Sequence, residues 1–319
     1  MLRFVTVVFA ILMGLMSPAM AWWDMGHMEV AAIAYGRLKP ATKTKVDALI
    51  KLHPAYGMWT KGLQGLPDDE ISQQAFVRAA TWADDIKTDL NCKSLHTPDC
   101  YKSEGDDVGN PDAGQNIGTS DHLAHAYWHF YDIPFSPDGT PTVPSPPVNA
   151  LSEIKLLTTA LADTTATDDL KCYDLVWLLH LVGDAHQPLH AVGRFTKLID
   201  KGDRGGNDEM VNVGEIAPIK LHAFWDSLLG DSASPGAAIA AASLLPPADP
   251  ILATRSDPES WFQESAALAQ TYAYGSVIGN GPGPYQLSLD YEKAAKSLAQ
   301  SQVALAGMRL GNLINAALH

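Results

Sequence analysis

Two short apolar segments of this chain carry histidines and aspartates at helical spacing. They read VWLLHLVGDAHQPLH and KLHAFWDSLL. In each segment a histidine precedes an aspartate by four residues: His180 and Asp184 in the first, His222 and Asp226 in the second. This spacing places both side chains on one face of a helix, about one turn apart. Neutral imidazole and carboxylate are ligands that Zn²⁺ takes, so the two pairs predict a zinc site built from several helices.

A further histidine closes the first segment. Pro188 lacks a backbone N–H and disfavours helical geometry at the residue before it, so we expect the helix to stop ahead of His190. His190 can then turn back toward His180 and Asp184. His186, at the same helix end, fits either a metal ligand or a hydrogen-bonding partner of one. Any single histidine fits a core position, but the whole set does not, since an unpaired aspartate is almost never fully buried.

The first 21 residues have the features of a secretory signal peptide. Arg3 precedes an apolar stretch over residues 4–16, and AMA then forms a small-residue cleavage site. The stretch is shorter than the roughly 20 residues of a membrane span. We therefore predict an exported protein without a membrane anchor, whose mature chain runs as one domain over residues 22–319.

Cleavage would give the mature chain a new amino terminus at Trp22. A free α-amino group titrates at about pH 8 and can bind a metal once deprotonated. His27 follows Trp22 by five residues, so maturation can create a ligand beside another candidate. The alternative is that Trp22 and Trp23 only anchor the terminus against the core.

Cysteine and charge content narrow the class of protein. Three cysteines are too few for a disulfide scaffold. Cys92 and Cys100 flank a short loop and can pair, which leaves Cys172 buried in a helix. The absence of any N-x-S/T sequon favours a bacterial periplasmic or secreted protein. A formal net charge of −14 argues against tight duplex binding, unless bound metal ions supply positive charge locally.

Helices must position the candidate ligands. Apolar residues recur at helical spacing in separate segments, divided by Pro- and Gly-rich stretches, and residues 209–213 alternate like a strand of a small hairpin. No linker interrupts the chain between His27 and Asp226. We therefore predict a single all-α domain with a small β-hairpin, in which the last helix only packs. The predicted helical segments are 27–38, 42–52, 71–88, 148–162, 170–186, 216–229, 237–245, 259–277 and 287–318.

Two more blocks contain candidates. Asp84 lies in ATWADDIK, and His129 precedes Asp132 by three residues in YWHFYDIP. Each block is a weak signal by itself. His122 and His125 lie near His129 and fit a supporting or surface position better than a ligand position.

The ordered set of blocks resembles the single-strand-specific zinc nucleases of the S-one/P-one family, which share a three-zinc helical scaffold with bacterial zinc phospholipases C. The matching motifs are a tryptophan five residues before a histidine, WAD, H-F-x-D, H-x-x-x-D-x-H-Q-P-L-H, GGN and L-H-x-x-W-D. Together with AGMRLGNLIN near the C-terminus they cover nearly the whole mature chain. No motif is specific alone, whereas their ordered combination is.

The resemblance implies three zinc ions, with one aspartate bridging two of them. A bridged pair lowers the pKa of a shared water and supplies hydroxide near neutral pH, which makes Asp84 and Asp184 catalytic. The implied ligands are, for the first ion, Asp84, His129, His180 and Asp184; for the second, His190, His222 and Asp226; and for the third, the amino group and carbonyl of Trp22 with His27 and Asp184.

The resemblance also implies substrate contacts. Phe130 would stack on a base, which suits single strands because every base has a π-face. Asp132 would hydrogen-bond the base or orient the site, and Asn207 of GGN would bind substrate. Lys87 stands where the family usually has arginine and would stabilise the transition state as a point charge, without bidentate grip on a phosphate.

Two other positions depart from the family pattern. Lys220 replaces the asparagine before L-H-x-x-W-D, and Pro147 replaces a cysteine that many members carry. The family's disulfide pattern is therefore not transferred to this chain.

These features together predict a monomeric zinc-dependent phosphodiesterase. It would cleave RNA and single-stranded DNA to 5′-phosphorylated products and remove 3′-phosphates from nucleotides. A zinc phospholipase C is disfavoured, because that relative typically has glutamate where Asp226 stands and because no lipid-binding domain follows. An exported, non-catalytic zinc-binding protein would not need Phe130 and Asp132 beside the ligands.

Overall fold

The computed structural model describes residues 22–88, 101–102 and 113–319. The predicted signal peptide and the predicted pairing of Cys92 with Cys100 lie outside these residues. Helices dominate the described chain and strands are few and short, as predicted for an all-α protein with a small β element. None of the described helices is long and apolar enough to cross a membrane. The helices are α1 (Asp24–Gly36), α2 (Pro40–Ile50), α3 (Tyr56–Trp59), α4 (Asp68–Ala79), α5 (Trp82–Thr88), α6 (Ala150–Ala162), α7 (Asp168–Asp184), α8 (Leu221–Asp226), α9 (Pro235–Ala242), α10 (Pro258–Leu268) and α11 (Leu289–Ala317).

Helix α7 lies at the centre of the fold. It is buried on every face from Cys172 to Asp184, as expected of a helix surrounded by others. Helices α1, α2, α5, α6 and α11 all contact it. The hydroxyl of Thr167 caps its N-terminus by accepting the N–H of Leu170. Its C-terminal end is followed by a 3₁₀ turn over Pro188–Ala191, so the predicted stop is confirmed.

Two glycines allow α1 and α11 to approach each other closely. A Cβ atom at Gly307 would lie 2.5 Å from Cβ of Ile33, and one at Gly311 would lie 3.2 Å from the carbonyl oxygen of Ala34. Their four-residue spacing places both glycines on the same face of α11. The C-terminal AGMRLGN segment therefore serves helix packing, as predicted for a helix without candidate ligands.

The strands form two small sheets. Strand β1 (Ile133–Phe135) pairs in parallel with β2 (Val192–Arg194). Strand β3 (Met210–Asn212) pairs antiparallel with β4 (Ile219–Lys220) and parallel with β5 (Tyr285–Gln286). The β3–β4 pair is the predicted hairpin. The other strands were not predicted, because two or three residues carry too little alternation to indicate a strand.

Several predicted helical segments have different limits in the structure. The segment 71–88 breaks after Ala79 into α4 and α5, and the segment 216–229 begins as β4 before α8 starts. The segment 259–277 is α10 followed by a π-helical turn, Ala269–Tyr274. The break within 216–229 follows from pairing of β4 with β3, which local apolar periodicity does not reveal.

Candidate metal centre

Three groups of buried histidine and aspartate side chains converge at the C-terminal end of α7. Within each group the potential ligand atoms lie within 4.8 Å of one another. All predicted side-chain ligands fall into these groups, although they come from segments far apart in the chain. The groups are His27, His180 and Asp184; Asp84, His129 and His180; and His190, His222 and Asp226.

Asp184 lies between two of these groups. Its Oδ2 is 3.1 Å from Nδ1 of His129 and 3.3 Å from Nε2 of His180. Its Oδ1 is 3.4 Å from Nε2 of His27 on the other side. Oδ1 of Asp84 completes the first side, 3.6 Å from Nε2 of His180. The two oxygens of one carboxylate thus face different groups, an arrangement in which one side chain can serve two ions.

The remaining group joins α8 to the turn after α7. Nε2 of His222 lies 3.1 Å from Nε2 of His190 and 3.4 Å from Oδ2 of Asp226. Helix α8 carries His222 and Asp226 on one face, as their spacing predicts. Nδ1 of His190 is 3.9 Å from Oδ1 of Asp184, so the chain after Pro188 does turn back toward the end of α7.

Backbone carbonyls orient three of the imidazole rings. In each case Nδ1 contacts a carbonyl oxygen, which can only accept, so Nδ1 must carry the proton. The lone pair on Nε2 is then available to a metal. The three pairs are His180 with Ala80 at 2.8 Å, His190 with His129 at 2.6 Å and His222 with Gly205 at 2.7 Å.

Gln187 orients a carboxylate in the same manner. Its Nε2 donates to Oδ1 of Asp226 at 2.6 Å, and its Oε1 accepts the N–H of Leu189 at 2.5 Å. Oδ2 of Asp226 is thereby left facing His222. The sequence interpretation missed this role of Gln187, and its place within HQPLH was the only available signal.

The buried polar atoms of the site do not satisfy one another. Because Nδ1 carries the proton in both rings, Nε2 of His190 and Nε2 of His222 are acceptors that face each other at 3.1 Å. When Asp226 is ionised, its Oδ2 adds a third acceptor, 3.4 Å from Nε2 of His222. Such a cluster is unfavourable unless a cation lies among the lone pairs. Other buried ligand atoms among the described residues also lack a hydrogen-bond partner: Oδ1 of Asp184 and both ring nitrogens of His27. This donor set of nitrogen and oxygen atoms fits Zn²⁺.

Burial keeps most of the imidazoles neutral. It lowers the pKa of His222 to about 4, and it lowers the pKa values of His27, His129 and His190 well below the usual range, with nearby cationic groups adding to the effect. The neutral imidazole is the form that binds a metal. Burial acts in the same direction on His180, but the charge of Asp184 reverses it and raises the pKa of that ring.

Burial also makes the site's carboxylates unfavourable as free anions. It raises the pKa of Asp184 to about 6 and that of Asp226 well above the usual range. Desolvation is the main cause in both, because it penalises the charged form. A cation bound at the site would stabilise the ionised carboxylates in place of the water that burial excludes.

Trp22 is fully buried beside the same turn of α7. Its indole Nε1 donates to the carbonyl of Gly183 at 3.2 Å. A Cβ atom at Gly183 would lie 2.8 Å from Nδ1 of His27, so both N-terminal residues press against this glycine. The anchoring predicted for Trp22 is present, and it holds the residue next to the group of His27 and Asp184.

Lys87 lies at the rim of the centre. Its Nζ is 2.5 Å from Oδ1 of Asp84, three residues earlier on α5, and its side chain is only 10% exposed. The structure therefore places a fixed positive charge beside one ligand group. A cation in this position can contact a phosphate only as a point charge.

The predicted substrate residues lie on segments attached to the ligands. Phe130 directly follows His129 and packs partly buried against the core. Asp132 directly precedes β1 and packs against Gly193 of β2. A Cβ atom added at Gly193 would lie 3.4 Å from Cβ of Asp132. Burial, reinforced by Asp203, raises the pKa of Asp132 well above its usual range.

Asn207 belongs to the loop that also contacts His222. Its Nδ2 donates to the carbonyl of Arg204 at 2.9 Å. Gly205, two residues earlier, supplies the carbonyl to which His222 donates. Lys220 is partly buried and directly precedes α8.

His186 is not a metal ligand in this structure. Its Nδ1 donates to the carbonyl of Val182 at 2.7 Å, and its Nε2 accepts from Nη1 of Arg309 at 2.9 Å. Both ring nitrogens are therefore occupied. Neither partner is a candidate ligand, so His186 has neither of the two roles considered from the sequence: its ring bonds to Val182 and Arg309 instead.

His125 supports a ligand from behind, as predicted. Its Nε2 lies 2.8 Å from Oδ2 of Asp121, which also accepts the hydroxyl of Tyr173 at 3.0 Å. Its ring stacks on Trp128 at 3.7 Å, and Trp128 immediately precedes His129. His125 thus stabilises the 3₁₀ turn, Ala126–His129, that presents the ligand.

Comparison with known proteins agrees with the site. A family model described as S1/P1 Nuclease matches residues 22–319. No individual curated protein matches the chain significantly.

Proposed function

The chain belongs to the S1/P1 nuclease family, and from this premise we propose that it cleaves RNA and single-stranded DNA with zinc ions held at the end of α7. Family membership makes the protein a phosphodiesterase that acts on nucleic acid. The observation that carries the zinc proposal is the cluster of His190, His222 and Asp226, since the facing lone pairs of the two imidazoles are unfavourable without a cation between them.

Three ions are proposed because the acceptors form three groups, two of which share His180. The first ion would be bound by Asp84, His129, His180 and Asp184, and the second by His190, His222 and Asp226. The third would be bound by His27 and Asp184 with the amino group and carbonyl of Trp22. The anchored indole of Trp22 supports the third set, because it holds the residue beside these ligands.

Zinc bound in these groups would act as a Lewis acid on the phosphodiester. It would also lower the pKa of a bound water to about 7, so that hydroxide is available near neutral pH. Asp184 and Asp84 hold the groups together and balance their charge. Lys87, fixed 2.5 Å from Asp84, would stabilise the extra negative charge of the phosphoryl transition state.

The substrate would be held beside the metal groups by its bases. Phe130 offers a ring that follows a ligand directly in the chain, and stacking on it tolerates any base. Asp132 carries a raised pKa, so its carboxyl can both donate and accept a hydrogen bond to a base edge. Asn207 would contact the substrate from the loop behind His222.

The finer activities follow from the family resemblance. Products with 5′-phosphates and removal of 3′-phosphates from nucleotides are proposed on that basis. Export through a cleaved signal peptide to the periplasm or the medium is proposed from the N-terminal sequence, and the family match starting at Trp22 supports it. We further propose that the mature protein is a monomer.

The test is incubation of the purified mature protein with single-stranded DNA, RNA, duplex DNA, a 3′-nucleotide and phosphatidylcholine. Each substrate is assayed with and without chelator, and zinc is counted by elemental analysis. We expect cleavage of the single-stranded substrates, loss of cleavage with chelator and recovery on adding zinc.

A matched pair of variants locates the activity. Asp226→Asn should abolish cleavage, whereas Asp231→Asn, an exposed position five residues later, should not. Cleavage of phosphatidylcholine alone would favour the phospholipase alternative. Fewer than two zinc ions in a fully active chain would refute the three-ion proposal.

A further inference from the structure

The loop between β2 and β3 reaches the metal centre from outside the three ligand groups. The carbonyl of Gly205 accepts the hydrogen bond from Nδ1 of His222 at 2.7 Å. Gly205 and Gly206 have φ of +62° and +81°, and a Cβ atom at Gly205 would overlap the carbonyl oxygen of Leu189. The position of this carbonyl, which orients His222, therefore depends on an unusual backbone conformation.

Asp203 holds this conformation from the protein interior. Its Oδ1 accepts the N–H of Arg194 at 2.8 Å and that of Gly205 at 3.2 Å. Its Oδ2 accepts the N–H of Gly206 at 3.0 Å and the hydroxyl of Tyr274. One fully buried carboxylate thus binds both glycines of the loop and joins them to two other segments.

The neighbours of Asp203 are themselves fixed. The guanidinium of Arg194 lies 4.6 Å from the centre of the Tyr274 ring and donates to Glu209 at 2.5 Å and to the carbonyl of Gly279 at 2.9 Å. Because these groups are buried and mutually bonded, Asp203 has little freedom to move.

The other two oriented histidines do not rely on such a loop. His180 donates to Ala80, whose carbonyl follows the end of α4, and His190 donates to the carbonyl of His129, itself a candidate ligand. Only the carbonyl that orients His222 comes from a pair of glycines in the left-handed region. Loss of Asp203 should therefore affect the group of His190, His222 and Asp226 and leave the other two groups unchanged.

We propose that Asp203 is a positioning residue for the metal group of His190, His222 and Asp226, called the second group because it would bind the second ion. It holds the loop so that the Gly205 carbonyl keeps the proton of His222 on Nδ1, which directs the Nε2 lone pair at the ion. Asp203 belongs to none of the ligand groups found among the described residues, so its effect on the ion is exerted through His222 and not by direct ligation. This role depends on the proposed zinc site.

The experiment measures the affinity of each zinc ion in the mature protein by competition with a chromophoric chelator. Asp203→Asn keeps the shape of the side chain but replaces one acceptor oxygen with a donor. We expect one of three ions to bind about 10- to 100-fold more weakly, the range for outer-shell partners of a ligand. Asp200→Asn, exposed in the same loop, should leave all three affinities unchanged.

Two further variants separate positioning from general damage to the fold. Tyr274→Phe removes a single hydrogen-bond donor from Asp203 and should weaken binding of the same zinc ion by a smaller factor. This variant tests the positioning role if Asp203→Asn does not fold. In a His222→Ala background, which already lacks the second group, adding Asp203→Asn should leave the remaining affinities unchanged.

The outcomes are distinguishable. Equal weakening of all ions, or wild-type affinity for all three in both Asp203→Asn and Tyr274→Phe, would overturn the positioning role while leaving the zinc proposal intact. A wild-type protein that binds no zinc would overturn the proposed function and the positioning role with it.

Discussion

Two buried polar clusters lie side by side at the end of α7, and their hydrogen bonding is opposite. In the Arg309 cluster (His186, Glu264 and Arg309), the guanidinium donates to Nε2 of His186 at 2.9 Å and to Oε2 of Glu264 at 2.7 Å. It also donates to the carbonyl of Leu252. In the ligand cluster around Asp184, acceptors face acceptors, and buried nitrogen and oxygen atoms have no partner among the described residues.

The difference shows what separates a metal site from a structural network. Both clusters contain buried histidine and a carboxylate, so neither residue type nor burial distinguishes them. The Arg309 cluster balances donors with acceptors and can stabilise the fold unaided. The ligand cluster has surplus acceptors, and a cation bound among them would satisfy them.

The largest expected effect comes from removing the shared charge of the ligand cluster. Asp184→Asn keeps the shape of the side chain but replaces an anionic oxygen with an amide donor. We expect turnover to fall by at least ~10²-fold, with loss of zinc, because the residue faces two ligand groups. Steady-state kinetics and elemental analysis measure both. Normal turnover with full metal content would show that Asp184 holds no ion.

A smaller effect is expected from extending the amino terminus. A protein that retains residues before Trp22 displaces the α-amino group from His27 and Asp184. Activity should fall by about 10- to 100-fold and only the third ion should be lost, since the other ligands are side chains within the fold. A C-terminal tag of the same length is the control. If the extended protein keeps three ions and full activity, Trp22 only packs.

The Arg309 cluster should respond in stability and not in metal content. Arg309→Met removes the donor to Nε2 of His186 and to Oε2 of Glu264, while Oε1 of Glu264 keeps its pair with Arg255. We expect a cost of about 3 kcal/mol, the lower end of the range for breaking a buried pair. The thermal midpoint should fall by several degrees while zinc content and turnover stay near wild type. Arg255→Met is the matched control, because Arg255 pairs with the same Glu264 but is 49% exposed. Loss of zinc in Arg309→Met would contradict the separation of the two clusters.

The smallest expected effect concerns Asp174 of α7 and its partner Asn116. One oxygen of this carboxyl has no hydrogen-bond partner in the described part of the chain, but no candidate metal ligands lie around it there. Asp174 accepts from Nδ2 of Asn116 at 2.7 Å, and its Oδ2 has no partner among the described residues. Burial raises the pKa of Asp174 to about 7. The folded protein therefore holds a proton that the unfolded chain releases near pH 4, so this residue costs increasing stability as the pH rises from about 4 to 7.

Asp174→Asn cannot ionise and removes that cost. We expect the variant to exceed the wild type by about 1–2 kcal/mol at pH 8, below the limit of about 4 kcal/mol set by a three-unit shift. The advantage should at least halve at pH 5. Thermal unfolding at the two pH values measures it, and an advantage independent of pH would show that Asp174 does not titrate as described. Zinc content should not change at either pH.

Local chemistry could be predicted well from the sequence. The four-residue spacing of His180 and Asp184 places both on one helical face by geometry alone, and Pro188 ends the helix because it lacks an N–H. The helical content and the β3–β4 hairpin agree with the prediction, and the structure brings the candidate side-chain ligands close together. The break within 216–229 did not follow from apolar periodicity, because the pairing of β4 with β3 sets it.

Only the tertiary structure decided how the candidate ligands are oriented and which histidines have a nitrogen free for a metal. His180 receives its orienting carbonyl from Ala80, 100 residues away, and His186 is occupied by Arg309, 123 residues away. Sequence spacing specifies which face of a helix a side chain occupies, but it carries no information on the backbone atoms and charges that distant segments bring to that face. Those partners determine the proton on each ring and the surplus of acceptors, and hence where a metal ion is needed.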